Sequence, residues 1–449
     1  MAPTAPLRVA TCSAPTNIAT IKYWGKDDVA LNTPLNSSVS VTLDQDDLRT
    51  TTTIAASPAF ETTELWLNGK PQALNKRVLA VLREMRALAQ RQHGRASQLH
   101  EWPLRIVSEN SFPTAAGLAS SAAGYACLVA TLAELYQVQD EFPGQLSTIA
   151  RQGSGSACRS LHGGFVRWEK GARADGRDSR AVQVADEHHW PSLCAIICVV
   201  NDAQKDTSST AGMQTSRATS ELLQVRAREL VAPRLAQIEA AYRARDFATF
   251  GSLTMQDSNQ FHAVCLDTMP PIVYMNDVSR RIVQLVHRVN AFLGGVRVAY
   301  TFDAGPNAVL FVEAPHVADV VALLTRVFPG PNGAQLPVET TTMAAPIASS
   351  ATTPPPATLV DAVGLAPTPG GVKMLYVTRV GGGPRVLSME HALVDPTTGE
   401  PRLPRAVSQQ QQQVKKATTT TKKKNATTWA LAASLLATTA LLSVVRRRS

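Results

Sequence analysis

The sequence lacks the cysteine patterns that mark disulfide frameworks and zinc modules. Its 449 residues contain six cysteines, and no two of them form a C-x-x-C pair. This usage is typical of a reducing compartment, so we expect a cytoplasmic protein rather than a secreted one. The first eleven residues have no apolar segment and are interrupted by Arg8, which argues against a secretory signal.

Aromatic residues are also scarce, at 5% of the chain, and acidic residues are absent from residues 406–449. That segment contains eight Lys and Arg residues, so it accounts for most of the net charge of +9. The rest of the chain is therefore close to neutral, at about +1. Because residues 1–405 are nearly neutral and offer few aromatic side chains on which bases could stack, we expect no nucleic-acid partner.

The C-terminal segment is distinct in composition. Residues 405–428 are of low complexity and are expected to form a flexible tether. Residues 429–445 are uncharged and lie between Lys and Arg clusters. As a helix this stretch would measure roughly 25 Å, slightly less than a ~30 Å hydrocarbon core. Two interpretations stay open: a C-terminal membrane anchor within 429–449, with the body in the cytosol, or an Ala-rich interfacial helix.

The rest of the chain mixes strand and helix patterns, which indicates an α+β fold. An Asn68-Gly69 pair predicts a hairpin turn, and Asn75 is a candidate cap for a helix that begins near residue 76. A domain boundary near residue 190 would separate domains 1–190 and 191–404, with a Pro-, Thr- and Ala-rich insert at about 330–371. The strands are expected at 7–12, 38–43, 48–54, 104–107, 165–168, 193–200, 296–302, 308–312 and 374–380, and the helices at 118–136, 215–228, 231–243 and 272–292.

The first loop that could bind a ligand or take part in catalysis precedes the long apolar helix. Its side chains are small, which leaves backbone N–H groups accessible at a helix N-terminus, where phosphates bind well. Ser120 or Ser121 would reach a phosphate oxygen or its Mg²⁺ ion, although tight packing of small residues explains the composition equally. No G-x-x-x-x-G-K-[ST] motif is present, so this is not a P-loop. The candidate nucleotide-binding residues are Pro113, Ala115, Ala116, Gly117, Leu118, Ala119, Ser120 and Ser121.

Two further loops carry polar side chains. The run Gly-Ser-Gly-Ser-Ala-Cys-Arg at 153–159 lacks the third glycine of a dinucleotide fingerprint. There Ser154 and Ser156 could donate hydrogen bonds to a substrate, and Arg159 could hold a carboxylate with its planar fork, or lie on a surface turn. Asp303 follows an apolar strand and precedes Gly305-Pro306, where a carboxylate is either catalytic or part of the turn.

Seven segments, taken in order, resemble the diphosphomevalonate decarboxylase family. The run Lys-Tyr-Trp-Gly-Lys at 22–26 and the run at 153–159 are particular to that family, whereas related GHMP kinases share the small-residue phosphate loop. The resemblance implies a two-domain GHMP-kinase fold with mixed and antiparallel sheets packed by helices and an active-site cleft between the domains. It also implies ATP and Mg²⁺ as cofactors, mevalonate diphosphate as substrate and a homodimer. The segments are 14–26, 36–38, 108–121, 153–160, 205–210, 255–259 and 301–308.

The resemblance also implies how the substrate is held. Mevalonate diphosphate has a tertiary hydroxyl, a β-carboxylate and a diphosphate, so three contacts are needed. Arg159, steadied by Asn17, would bind the carboxylate, and Asp303 would orient the hydroxyl and accept its proton, with Lys22 offsetting the charge nearby. The diphosphate would be bound by Tyr23, Lys26, Ser154 and Ser156, whereas Lys205, Ser208 and Ser209 would lie near the nucleotide phosphates and metal, with Ser209 also contacting the substrate.

Phosphorylation of the hydroxyl would create a leaving group whose departure drives the loss of carbon dioxide and yields isopentenyl diphosphate for isoprenoid synthesis. Two other functions stay open at this point. One is a GHMP kinase that stops at phosphorylation, and the other is a non-catalytic, membrane-tethered binding protein.

Overall fold

The computed structural model describes residues 5–112, 120–201, 206–344 and 355–402. The predictions for residues 113–119 and for the C-terminal segment beyond 402 lie outside the described residues. In chain order, the strands are β1 (Arg8–Pro15), β2 (Asn17–Ile21), β3 (Ser38–Thr42), β4 (Arg49–Ala56), β5 (Glu64–Leu67), β6 (Lys70–Gln72), β7 (Leu104–Asn110), β8 (Phe165–Trp168), β9 (Ala181–Ala185), β10 (Leu193–Val199), β11 (Val298–Phe302), β12 (Ala308–Glu313), β13 (Val338–Glu339), β14 (Met374–Arg379) and β15 (Arg385–Val386).

The described helices confirm several sequence predictions, including the one that starts after Asn75. The Asn75 side chain accepts the backbone N–H of Arg77 and Val78, at 2.9 and 3.1 Å, which caps the helix. The helices are α1 (Lys76–His93), α2 (Ser120–Tyr136), α3 (Gln145–Gly153), α4 (Ser209–Thr219), α5 (Glu221–Val225), α6 (Val231–Ala244), α7 (Phe247–Asp267), α8 (Asp277–Phe292), α9 (Val317–Val327) and α10 (Ala357–Val363).

Three sheets organise the described residues, and the α+β class is confirmed. The first sheet has the order β15-β1-β4-β7-β5-β6, the second β2-β3-β8-β9 and the third β11-β12-β10-β14-β13. Most neighbouring strands are antiparallel, but β5 pairs parallel with β7, and β13 with β14. The predicted hairpin between β5 and β6 is present, and Asn68 and Gly69 both have positive φ, at 49° and 74°, as a type I′ turn requires.

Among the described residues, two large cores hold these layers together. Helices α1 to α3 bury their apolar faces against the first sheet. Helices α6 to α9 pack on the third sheet, and the same core includes Val39, Val41 and Phe165 from the second sheet. The second sheet is thereby fixed to the C-terminal half, so the loops that follow β2 and β11 are held by one continuous core.

The prediction of one continuous helix at 215–228 was wrong, because Ser220 is not helical and separates two helices there. Ser220 is extended and its hydroxyl accepts the N–H of Leu223, which ends α4 and caps α5. A π-helical turn at Arg226–Leu230 then leads into α6. The predicted helix at 272–292 begins only at Asp277, where Asn276 and Ser279 form a capping box.

The Pro-, Thr- and Ala-rich segment at 330–371 is more ordered than the expected insert. On either side of residues 345–354, which are not described, its apolar side chains enter the second core. Leu336 and Met343 are buried on one side, and Leu359 and Val363 on the other. The described parts of this segment therefore belong to the packed body of the protein.

The stretch at 385–402, predicted to lie within a domain 191–404, packs on the first sheet. Strand β15 pairs with β1, and the N–H of Leu393 donates to Thr53 Oγ1 at 2.9 Å. Arg105 forms an ion pair with Glu400 at 3.0 Å. The chain thus returns to its N-terminal half after completing the third sheet.

Candidate active site

One cavity of about 340 Å³ collects most of the residues singled out in the sequence. It lies where the loops after β2 and β11 meet the start of α2, the turn after α3 and the start of α4. Residues far apart in the chain are therefore adjacent here. The predicted residues that line it are Asn17, Lys22, Tyr23, Lys26, Ser120, Ser121, Ser154, Ser156, Arg159, Ser208, Ser209 and Asp303.

At one end of the cavity, Lys22 and Asp303 form an ion pair. The Lys22 ammonium donates to Asp303 Oδ1 at 2.5 Å and to the carbonyl of Ala19 at 2.7 Å. The Lys22 side chain is only 4% exposed, whereas that of Asp303 is 36% exposed. Lys22 is thus buried, whereas the Asp303 carboxylate faces the cavity. A ligand can therefore reach Asp303.

Arg159 is a buried cation fixed by neutral groups. Its Nε donates to Asn17 Oδ1 at 3.2 Å and to Ser40 Oγ at 2.9 Å, and its Nη1 donates to Ser38 Oγ at 2.7 Å. The residue is 2% exposed, and no carboxylate of the described chain forms an ion pair with it. Since an unpaired buried charge is costly, the arrangement calls for an anionic ligand.

Tyr23 lies beside this cation because a glycine leaves room for it. Its ring contacts that of Trp168 edge-on, with centroids 4.6 Å apart. A Cβ on Gly155 would lie 2.7 Å from the Tyr23 hydroxyl and 2.8 Å from the Trp168 ring. Burial raises the pKa of Tyr23 to about 12, so its hydroxyl stays protonated and can donate a hydrogen bond.

Two cations, Lys26 and Arg77, face the same cavity. Burial and, secondarily, the Arg77 charge lower the pKa of Lys26 to about 8. Arg77 Nη2 donates to Thr210 Oγ1 at 2.7 Å, which links the start of α1 to the start of α4. Repulsion between neighbouring cations is relieved when a polyanion lies between them.

Sequence reasoning missed Arg77 and Thr210, although one signal was present. Lys76 and Arg77 occupy the first turn of α1, which contains no acidic residue. Cations are unfavourable at a helix N-terminus because of the helix dipole. A pair of cations in that position is a reason to look for an anion.

The hydroxyls of Ser120 and Ser121 lie at the start of α2, as expected for the phosphate loop. Ser121 Oγ is 3.2 Å from Ser154 Oγ, which brings the first and second loops together. The other predicted nucleotide-binding residues of this loop, together with Lys205, lie outside the described residues. They are Pro113, Ala115, Ala116, Gly117, Leu118 and Ala119.

Comparisons with known proteins identify the family. A family model for the diphosphomevalonate decarboxylase-like N-terminal domain matches residues 14–181, and one for the mevalonate 5-diphosphate decarboxylase C-terminal domain matches residues 195–387. The chain belongs to the diphosphomevalonate decarboxylase family. Its relative from Bos taurus, a diphosphomevalonate decarboxylase, is 51% identical over 401 residues, which cover 86% of this chain and 96% of the relative.

Solved structures agree with the decarboxylase fold. The mevalonate diphosphate decarboxylase from Trypanosoma brucei has a TM-score of 0.78 and 37% identity, covering 86% of this chain and all (100%) of that one. A structure of MDDEF in complex with MVAPP, AMPPCP and magnesium has a TM-score of 0.65 and 28% identity, covering 86% and 100% of the two chains. The predicted two-domain GHMP-type architecture is thereby confirmed.

Two features are absent from the described parts of this decarboxylase-family chain. No described helix is both long and apolar enough to cross a membrane. No cluster of three or more His, Cys, Asp and Glu side chains in the described ranges could by itself hold a metal ion.

Proposed function

We propose that this cavity carries out the ATP-dependent decarboxylation of mevalonate diphosphate, the activity of the family to which the chain belongs. One observation supports the assignment most directly. A single cavity contains a reachable carboxylate, a buried cation without a carboxylate partner among the described residues, and a separate pair of cations. These match the hydroxyl, the carboxylate and the diphosphate of the substrate.

The substrate carboxylate is assigned to Arg159. Its Nε and Nη1 already donate to Asn17, Ser38 and Ser40, so the plane of the guanidinium is fixed before substrate binds. A fixed cation holds the carboxylate by charge-assisted hydrogen bonds and aligns the C–C bond that will break. Asn17 acts here by holding Arg159, because its Oδ1 accepts from Nε.

The diphosphate is assigned to the cationic end of the cavity. Lys26 and Arg77 supply the charge, and the protonated Tyr23 hydroxyl, Ser154 and Ser156 supply neutral donors. Ser209, at the start of α4, faces the same space. This division leaves the Lys22–Asp303 pair for the tertiary hydroxyl.

The nucleotide is assigned to a second, more apolar cavity. This cavity measures about 280 Å³ and shares Ser120 and Ser121 with the first. Leu65, Leu67 and Tyr125 are among its apolar lining residues, which suits a planar base. A base bound there would direct its phosphates along the N-terminus of α2 toward the substrate hydroxyl.

We assign Mg²⁺ to the boundary between the two cavities. The hydroxyls of Ser120 and Ser121 are hard oxygen donors, which Mg²⁺ accepts, and the ion takes most of its other ligands from phosphates and water. This fits the lack of a carboxylate cluster in the described ranges. Bound there, the ion would offset charge on the transferring phosphoryl group.

The reaction begins when the hydroxyl oxygen attacks the γ-phosphorus of ATP and ADP leaves. An alkanol is too weak an acid to be deprotonated beforehand, so Asp303 aligns the oxygen and accepts its proton late in the transfer. The phosphate then departs with the electrons of the C–O bond. The C–C bond to the carboxylate breaks, its electrons form the new double bond, and carbon dioxide is released.

The test is a product analysis with mevalonate diphosphate, ATP and Mg²⁺. We expect carbon dioxide and free phosphate in amounts equal to ADP. A kinase would give ADP and a phosphorylated acid without carbon dioxide or free phosphate, and a binding protein would give no ADP. Either result would contradict the proposed function.

We also propose that the chain forms a homodimer. A group of exposed apolar side chains lies where α5 meets the end of α7, among them Leu222, Leu266 and Met269. The two helices are joined there, since the N–H of Leu222 in α5 donates to Asp267 Oδ2 at the end of α7, at 3.1 Å. Light scattering should show a dimer for the full chain and a monomer for Met269→Glu; an unchanged dimer in the variant would place the interface elsewhere.

For localisation, we propose that the body faces the cytosol and that residues 429–445 attach it to a membrane. The support is the uncharged run between two basic clusters. A fusion ending at residue 428 should become freely diffusing in cells, whereas the full chain should co-sediment with membranes after carbonate extraction. Release of the full chain by carbonate would indicate an interfacial helix instead.

A further inference from the structure

A fully buried ion pair lies behind the reactive end of the cavity. The Arg226 and Asp257 side chains are both 0% exposed. Arg226 Nη1 donates to Asp257 Oδ1 at 2.7 Å and Nη2 donates to Oδ2 at 2.8 Å, which is a two-pronged contact. Neither residue lines the active-site cavity, so neither can touch the substrate as the site stands.

Both members of this pair also bind the backbone of Lys22. The Lys22 N–H donates to Asp257 Oδ2 at 2.7 Å, and Arg226 Nη2 donates to the Lys22 carbonyl at 2.8 Å. Asn36 supports the same carbonyl at 3.0 Å. Lys22 follows a strand with a bulge between Ala19 and Ile21, so its position is not set by regular strand pairing. The ion pair therefore fixes the residue whose ammonium contacts Asp303.

A contribution to folding stability does not by itself explain a buried ion pair of this kind. Desolvating two charges offsets much of their attraction, and apolar replacements are often as stable. The pair also leaves Arg226 Nε buried with no partner in the described ranges, which adds to its cost. Arg226 opens the π-helical turn that follows α5, and such turns are frequent at functional sites.

Helix α7, which carries Asp257, also holds the strand that precedes Asp303. Next to Asp257, Ser258 Oγ accepts the N–H of Phe302 at 3.0 Å, directly before Asp303. Asn259 Oδ1 accepts the Tyr300 hydroxyl at 3.0 Å. One helix thus contacts the backbone of Lys22 on one side and the strand that carries Asp303 on the other.

We infer that the buried Arg226–Asp257 pair is a positioning device for catalysis, which holds the Lys22 backbone so that its ammonium orients Asp303 toward the substrate hydroxyl. This inference rests on the proposed function. Arg226 and Asp257 act through Lys22 and are positioning residues rather than catalytic ones. Their loss should affect the phosphorylation step more than the binding of either substrate.

The test is a double-mutant cycle between Asp257→Asn and Lys22→Met. In the wild-type background, Asp257→Asn should lower kcat by about tenfold or more and change the KM of either substrate by less than about threefold. In the Lys22→Met background the same substitution should cost less than about threefold, because the residue it positions is gone. Arg226→Lys, which keeps the charge and loses the fork, should behave in the same way.

Glu239→Gln is the matched control. Glu239 accepts from Arg167 Nη1 at 3.1 Å and is nearly buried, at 7%, but it does not line the active-site cavity. It should lower the melting temperature and leave kcat unchanged, which separates loss of a partly buried ion pair outside the site from loss of positioning.

Three outcomes would overturn the inference. One is a wild-type kcat in Asp257→Asn. Another is an equal fall of kcat with and without the Lys22 side chain, which would mark a general structural effect. The third is failure of both Asp257→Asn and Arg226→Lys to fold, which would assign the pair to the scaffold. If the wild-type chain itself releases no carbon dioxide, the proposed function fails instead.

Discussion

Replacing Asp303 with asparagine separates orientation from proton transfer at the reactive end of the cavity. Asparagine has nearly the same size and shape, and its oxygen can still accept from the Lys22 ammonium, as Asp303 Oδ1 does at 2.5 Å. Since the ammonium requires an acceptor, it fixes the amide with the oxygen toward Lys22. The second position of the side chain then carries an NH₂ group, which donates hydrogen bonds and cannot take up a proton.

The expected loss follows from that change. General-base groups usually contribute about 10² to 10⁴ to the rate, or about 3 to 5 kcal/mol of transition-state stabilisation. Binding should change much less, because the carboxylate and diphosphate of the substrate are assigned to Arg159, Lys26 and Arg77. The variant should therefore bind mevalonate diphosphate and the nucleotide with near wild-type affinity and lose most of its turnover.

The assay is steady-state release of carbon dioxide, combined with calorimetric titration of each substrate. Asp361→Asn is a suitable control, since Asp361 is exposed on α10 and does not line the active-site cavity; it should keep full turnover. A loss of less than about tenfold in Asp303→Asn would remove Asp303 from the role of proton acceptor.

Three further predictions concern ionisable groups in and behind the cavity. Arg159→Lys should lower turnover more than it weakens ATP binding, and Arg159→Met should cost more still, on the order of several kcal/mol of transition-state stabilisation. Steady-state kinetics with nucleotide titration would refute this if only ATP affinity fell. Because the pKa of Lys26 is lowered to about 8, its charge and the affinity for mevalonate diphosphate should decline above about pH 8, whereas Lys26→Arg should show a flat titration. The pKa of His262 is lowered to about 4 by burial and then by the Lys22 charge. Folding stability should thus fall as the pH drops from about 6.5 to about 4, by up to about 3 kcal/mol, and urea unfolding of His262→Gln should show a smaller fall.

Much of the site could be predicted because its residues occur in short, recognisable runs. The segments at 22–26 and 153–159 contain five of the lining residues proposed to contact the substrate, and small side chains mark the start of α2. Isolated residues were harder to predict. Arg77 was missed because it belongs to no recognisable run of site residues, and only the fold brings it to Thr210.

Helix α7 shows why the fold could be predicted only in part. It spans Phe247–Asp267, yet it was not predicted, because several of its buried positions are polar, among them Thr254, Asp257 and Ser258. The partners of Asp257 and Ser258 are a distant arginine and the backbones of β11 and the loop after β2. Periodicity detects apolar faces, so a helix that buries polar side chains against non-local partners escapes it.

In the proposed complex, Arg159 binds the carboxylate of mevalonate diphosphate while Asp303 faces its tertiary hydroxyl. A crystal structure of the chain with mevalonate diphosphate, a non-hydrolysable ATP analogue and Mg²⁺ would test it most directly. We expect the carboxylate on the Arg159 guanidinium, the diphosphate between Lys26 and Arg77, and the hydroxyl within about 3 Å of Asp303. A diphosphate on Arg159, or a hydroxyl beyond the reach of Asp303, would contradict it.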